Sequence, residues 1–93
     1  MAVKRLAITV TGRVQGVGFR YFAKDAADSL GIAGWVRNNF DRAVECEAQG
    51  EEQDLDRFVS RLREGPPMSR VKDVAVNEVP VEQGTGQEFE ITF

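Results

Sequence analysis

The chain has 93 residues, 42% of them hydrophobic, enough for one core and a single domain over residues 1–93 without covalent staples. It has no histidine and one cysteine, Cys46, which excludes zinc sites, histidine general bases, Ser-His and Cys-His nucleophile pairs and an internal disulfide. A net charge of −3 and the lack of a long apolar run argue against nucleic acid, anionic membrane surfaces, a signal peptide and a membrane span, leaving a cytoplasmic monomer as the expectation.

Leu6, Ile8 and Val10 alternate with Ala7, Thr9 and Thr11, which predicts a strand with one better-buried face. Residues 12–20 follow and read Gly-Arg-Val-Gln-Gly-Val-Gly-Phe-Arg, with two arginines and no acid. The three glycines let the backbone curl so that several N–H groups aim at one anion. The onset of a helix adds partial positive charge at the same place. The segment therefore reads as an oxyanion cradle flanked by Arg13 and Arg20, with phosphate as the first candidate. Phe19, Phe22, Ala23, Ala26, Ala27 and Leu30 recur at helical spacing, and Gly31 is a fitting stop.

Ile32 to Asn38 and Ala43 to Gln49 are the next strands, joined across the polar turn Asn39 to Arg42 as a hairpin. A second helix carries Leu55, Phe58, Val59 and Leu62 on one face, acids at Glu51, Glu52 and Asp54 near its start, and Gly65-Pro66-Pro67 at its end. Val71 to Val79 is a fourth strand. Pro80 to Gln87 reads as a loose connector, and Phe89, Ile91 and Phe93 alternate in a short fifth strand. The order βαββαβ plus a terminal strand predicts an α+β, ferredoxin-like split βαβ sandwich, with two helices on one face of a mostly antiparallel sheet. In that plan the first two strands run parallel and end at one edge. Arg20 and Asn38, eighteen residues apart, then face each other across the loop.

Each residue also has a plainer reading. Glycine-rich turns join many strands to helices, and Asn38 suits a hairpin entry. Arg13 is balanced between a substrate contact and a strand-end charge. Trp35 reads as a packing residue and Cys46 as a small buried hydrophobe. Arg20 fits an anion site better, since a cation in the first helical turn opposes the helix dipole. The third dinucleotide-binding glycine is missing after Gly16-Val17-Gly18, no Gly-Lys-Ser/Thr follows, and a Cys-x5-Arg loop would need arginine where Glu52 stands.

Through residues 12–20, Leu30-Gly31-Ile32-Ala33-Gly34-Trp35-Val36-Arg37-Asn38, Gly65-Pro66-Pro67 and Val71, the chain resembles the acylphosphatase family over nearly its whole length. The resemblance implies hydrolysis of acyl phosphates to a carboxylate and inorganic phosphate, with no metal or cofactor. It implies that Arg20 binds the phosphoryl group and Asn38 positions the attacking water. The amides of Gln15, Gly16, Val17, Gly18, Phe19 and Arg20 would supply the remaining donors. Many members carry an aromatic residue where this chain has Gly18, and Asp-Gly where it has Asp41-Arg42.

That chemistry is consistent with a site lacking a general base. A carboxylate leaves readily at neutral pH, and phosphoryl transfer is commonly loose, so positioning and fixed positive donors can carry it. Asn38 can both donate to and accept from a water, whose proton would pass to the substrate phosphate. Similar domains serve inside larger carbamoyl-phosphate-processing maturation proteins, for which this chain is too short. An RNA-binding sheet would want basic and aromatic strand faces, and Val44-Glu45-Cys46-Glu47 offers acids.

Overall fold

The alternating apolar positions of the strands all turn to one side, and the two helices cover that side. In a computed structural model, described over residues 2–84, 86 and 88–93, the elements are β1 (Val3–Arg13), α1 (Phe19–Leu30), β2 (Ala33–Asn38), β3 (Val44–Glu51), α2 (Glu52–Glu64), β4 (Arg70–Val79) and β5 (Phe89–Ile91). They form a five-stranded sheet in the order β4-β1-β3-β2-β5. β1 and β2 both run antiparallel to β3, so they are parallel to each other with β3 between them. The expected ferredoxin-like plan is present, and β5 extends it by a parallel pairing with β2.

Ile8 and Val10 of β1, Val36 of β2, Val44, Cys46 and Ala48 of β3 and Val74 of β4 pack against Phe19, Ala23, Ala26 and Ala27 of α1 and Leu55, Phe58 and Leu62 of α2. These are alternate strand residues, as a half-buried sheet requires. Phe58 is fully buried and meets Phe89 edge-on, ring centroids 5.7 Å apart, so the short β5 is tied to the second helix through the core. The last rung of that strand is the Thr92 N–H bond to the Val36 carbonyl, 2.8 Å. The alternation expected to reach Phe93 stops there, and Phe93 is exposed.

The opposite face of the sheet differs from expectation. The segment between the two outermost strands is tethered to that face at Glu82 and Glu88. Arg5, whose side chain is 4% exposed, bonds Glu47 at 2.7 Å and Glu82 at 3.1 Å. Gln49 donates to the Glu82 carbonyl and accepts from the Glu82 N–H. The Gly34 N–H reaches the Glu88 carbonyl at 3.0 Å. Rather than a loose connector, residues 80–84 and 88 form a strap, held by a buried cation. Residues 85 and 87 of the predicted connector lie outside the described residues.

Candidate active site

The end of the sheet where β1 and β2 both finish carries the glycine-rich loop. A register shift between Thr11 and Gly12 against β4 turns the end of β1. Val14 is buried and anchors the loop that follows. Gly16 (φ 74°) and Gly18 (φ 79°) adopt the left-handed conformation that glycine takes without penalty. α1 starts on Gly18 with no side-chain cap and no acid in its first turn. α2 instead has Glu52 and Asp54 at its start and Arg61 and Arg63 at its end, complementing its dipole. The first amides of α1 are thus left for another acceptor.

A cavity of about 130 Å³ opens there, lined by Val14, Gly16, Gly18, Phe19, Arg20, Tyr21 and Asn38. The loop, Arg20 and Asn38 therefore share one hollow, as the crossover topology predicted. Of the six expected cradle residues, Gly16, Gly18, Phe19 and Arg20 line it. Gln15 and Val17 do not: Val17 packs against the core, and the Gln15 side chain reaches the hairpin. Tyr21, half-turned to solvent beside Arg20, was not anticipated, because one aromatic after a helix start carries no distinguishing pattern. Larger hollows lie elsewhere. The one beside the strap is lined by Glu82, Glu88, Glu90 and Arg5, and Arg5 is already paired with Glu47 and Glu82, a poor setting for an anion.

Among the described residues no carboxylate pairs with Arg20; its guanidinium lies 5.4 Å from the centroid of the Phe93 ring. Arg13 lies outside the cavity lining. It is exposed and stands opposite Arg70 in the β1–β4 ladder.

Asn38 is held through its neighbours. Strand alternation sends Asn38 toward the cavity and Arg37 and Asn39 to the other face, where both meet Glu45. Arg37 Nε donates to Glu45 Oε1 at 3.0 Å, and Asn39 Nδ2 donates to Oε2 at 3.1 Å. These bonds, Asn39 first and Arg37 second, hold the Glu45 carboxyl below its ordinary pKa. Asn39 Oδ1 also accepts the Asp41 and Ala43 N–H groups at 2.9 Å each, closing the hairpin around Arg42. Arg42 has φ 64°, a strained value for a side-chain-bearing residue at a position where the resemblance leads one to expect glycine. From the loop side, Gln15 Nε2 donates to the Asn39 and Ala43 carbonyls, both at 2.9 Å.

A protein-family model described as Acylphosphatase matches residues 6–91. A Bifidobacterium longum protein named acylphosphatase is 48% identical over 85 residues, covering 91% of this chain and 88% of that protein. The crystal structure of acylphosphatase from Bacillus subtilis superposes with a TM-score of 0.92 at 42% identity, over 99% of this chain and 100% of that one. Full-length HypF in its phosphate- and nucleotide-bound form contains a region of the same shape, with a TM-score of 0.90 and 32% identity over 99% of this chain and 12% of HypF.

Proposed function

The chain belongs to the acylphosphatase family of enzymes acting on acyl phosphates, and we propose that the cavity between the glycine-rich loop and Asn38 is where the mixed anhydride is hydrolysed. The carrying observation is that Arg20 and Asn38 line one small hollow together with the start of α1. In this reading the phosphoryl group sits on the amides of Gly16, Gly18, Phe19 and Arg20, with the Arg20 guanidinium forked on its oxygens. Asn38 orients a water. The water oxygen bonds to phosphorus while the bond from phosphorus to the acyl oxygen breaks, and the electron pair leaves on the carboxylate. The water's proton passes to a phosphate oxygen, so no side chain has to titrate.

The size of the hollow bears on specificity. Pockets that enclose a drug-sized ligand run to roughly 300–1,000 Å³, and this one is about 130 Å³. It takes the phosphoryl group and leaves the acyl group at the rim, so a range of acyl phosphates fits. We further infer that residues 1–93 act as one unit, as a monomer in the cytoplasm, without metal or cofactor and without a nucleic-acid partner. The acids on β3 and the strap across the open sheet face support the last point. Among the described residues no helix is long and apolar enough to cross a membrane.

Benzoyl phosphate hydrolysis, measured with a chelator present, tests the reading. The parent protein should be active, and Arg20→Ala or Asn38→Ala should each lower kcat by about 10²–10³-fold, the usual loss of one transition-state donor. Full activity in both folded variants would dismiss this site.

A further inference from the structure

We propose that the Gln15 side chain is a positioning residue that sets the distance between the phosphoryl cradle and the water held by Asn38; this rests on the site reading above. Both hydrogens of its Nε2 are used, one on the Asn39 carbonyl and one on the Ala43 carbonyl, at 2.9 Å each. A carboxamide has two donors in one fixed plane. Here they bridge two acceptors 24 and 28 residues away in sequence, at the two sides of the hairpin neck, where the Asn39 N–H also bonds the Ala43 carbonyl at 3.0 Å. Among the described residues these two are the side-chain hydrogen bonds between residues 14–18 and the hairpin.

The consequence for Asn38 is geometric. Glu45 holds Arg37 and Asn39 from the open face of the sheet, and Gln15 holds the Asn39 carbonyl from the loop. Asn39, the residue that follows Asn38, is therefore pinned from both sides, its side chain by Glu45 and its carbonyl by Gln15, and the second pin is the loop that supplies the cradle amides. Hydrolysis needs the water and the phosphorus in line at contact distance, and misplacement by about 1 Å can cost on the order of 10²-fold in rate. Gln15 converts two separate elements into one frame. Glutamate there would keep the shape but turn an acceptor oxygen toward two carbonyls, while methionine would keep the bulk and lose both bonds.

The experiment compares Gln15→Met and Gln15→Glu with the parent, at a temperature where circular dichroism shows all of them folded. It records kcat and KM for benzoyl phosphate and inhibition by inorganic phosphate. The expected result is a kcat lowered by about 10–100-fold, with phosphate inhibition within twofold of the parent because Arg20 and the cradle amides remain. In an Asn38→Ala background, adding Gln15→Met should produce no further loss, since the residue acts through Asn38. An unchanged kcat overturns the proposal. So does phosphate inhibition weakened in step with kcat, or a full additional loss on top of Asn38→Ala. If Asn38→Ala is itself fully active, the site reading fails; if it is impaired while Gln15→Met is not, only the role of Gln15 fails.

Discussion

Arg13 and Arg70 stand directly opposite each other on β1 and β4, two exposed cations at the sheet end that carries the cavity. Like charges so placed destabilise a strand pair, and among the described residues neither has a carboxylate partner. Arg20 and Arg42 belong to the same end, on a chain whose net charge is −3. This local reversal of sign attracts an anionic substrate. Raising salt from 20 to 200 mM (proposed conditions, spanning a Debye length from roughly 20 to 7 Å) should lower kcat/KM with little change in kcat. Arg13→Glu with Arg70→Glu should cut kcat/KM by roughly 10-fold at low salt and flatten the salt dependence. A steep dependence that persists in the double variant would assign the steering to other groups.

The strap is the next place where a single residue matters. Arg5 is buried, but its partners Glu47 and Glu82 are 28% and 54% exposed, so removing the cation leaves carboxylates that water can reach. Arg5→Met should therefore cost about 1.5–3 kcal/mol, the range for charge-assisted bonds, and less than a fully enclosed pair would. Urea denaturation measures this, and Glu82→Gln should lose less than Arg5→Met.

Gly34 and Gly18 separate two reasons for glycine. A Cβ on Gly34 (φ 145°) would collide with the Glu47 carbonyl oxygen of the neighbouring strand, where backbone cannot yield. A Cβ on Gly18 (φ 79°) would meet nothing within 4 Å. Gly34→Ala should cost about 3 kcal/mol, and Gly18→Ala only the left-handed strain of about 1–2 kcal/mol. Thermal unfolding of the two variants checks the order.

Glu45 gives the site an acid limit. Its carboxyl is held below the ordinary value of 4.5 by bonds to Asn39 and Arg37. The stabilisation is then complete above pH 4.5 and is lost as pH falls through the lower, folded-state value. Urea midpoints of the parent and Glu45→Gln should differ at pH 6 and converge as the pH is taken below 4.5. A difference that stays constant with pH would mean that ionisation of Glu45 contributes nothing.

Much of this was legible in the chain. Two-residue alternation marked β1 and β3, the 3-4-7-8 spacing marked α1, and three glycines between a strand and a helix marked the loop. Asn38 looked like a turn residue until topology set it beside Arg20. The strap was not legible because its order is imposed from afar: Arg5 and Gln49 hold Glu82, and nothing in residues 80–84 signals that partnership. Arg5 sits at a position that alternation assigns to the solvent face, and only the strap crossing above makes it buried. The Gln15 side chain was equally silent, since a carboxamide in a polar loop has no pattern until its acceptors are seen.

Cys46 lies between Ile8 and Val36 in the strand register, and burial pushes its thiol well above the ordinary range. It cannot react while the two helices cover the central strands. The lone thiol is thereby a built-in stopwatch: a thiol-alkylating reagent in excess records how often the sandwich opens, molecule by molecule, with no probe engineered in. Because the stopwatch sits on β3 between the two strands that end at the cavity, a substrate or phosphate that braces that end would slow its ticking.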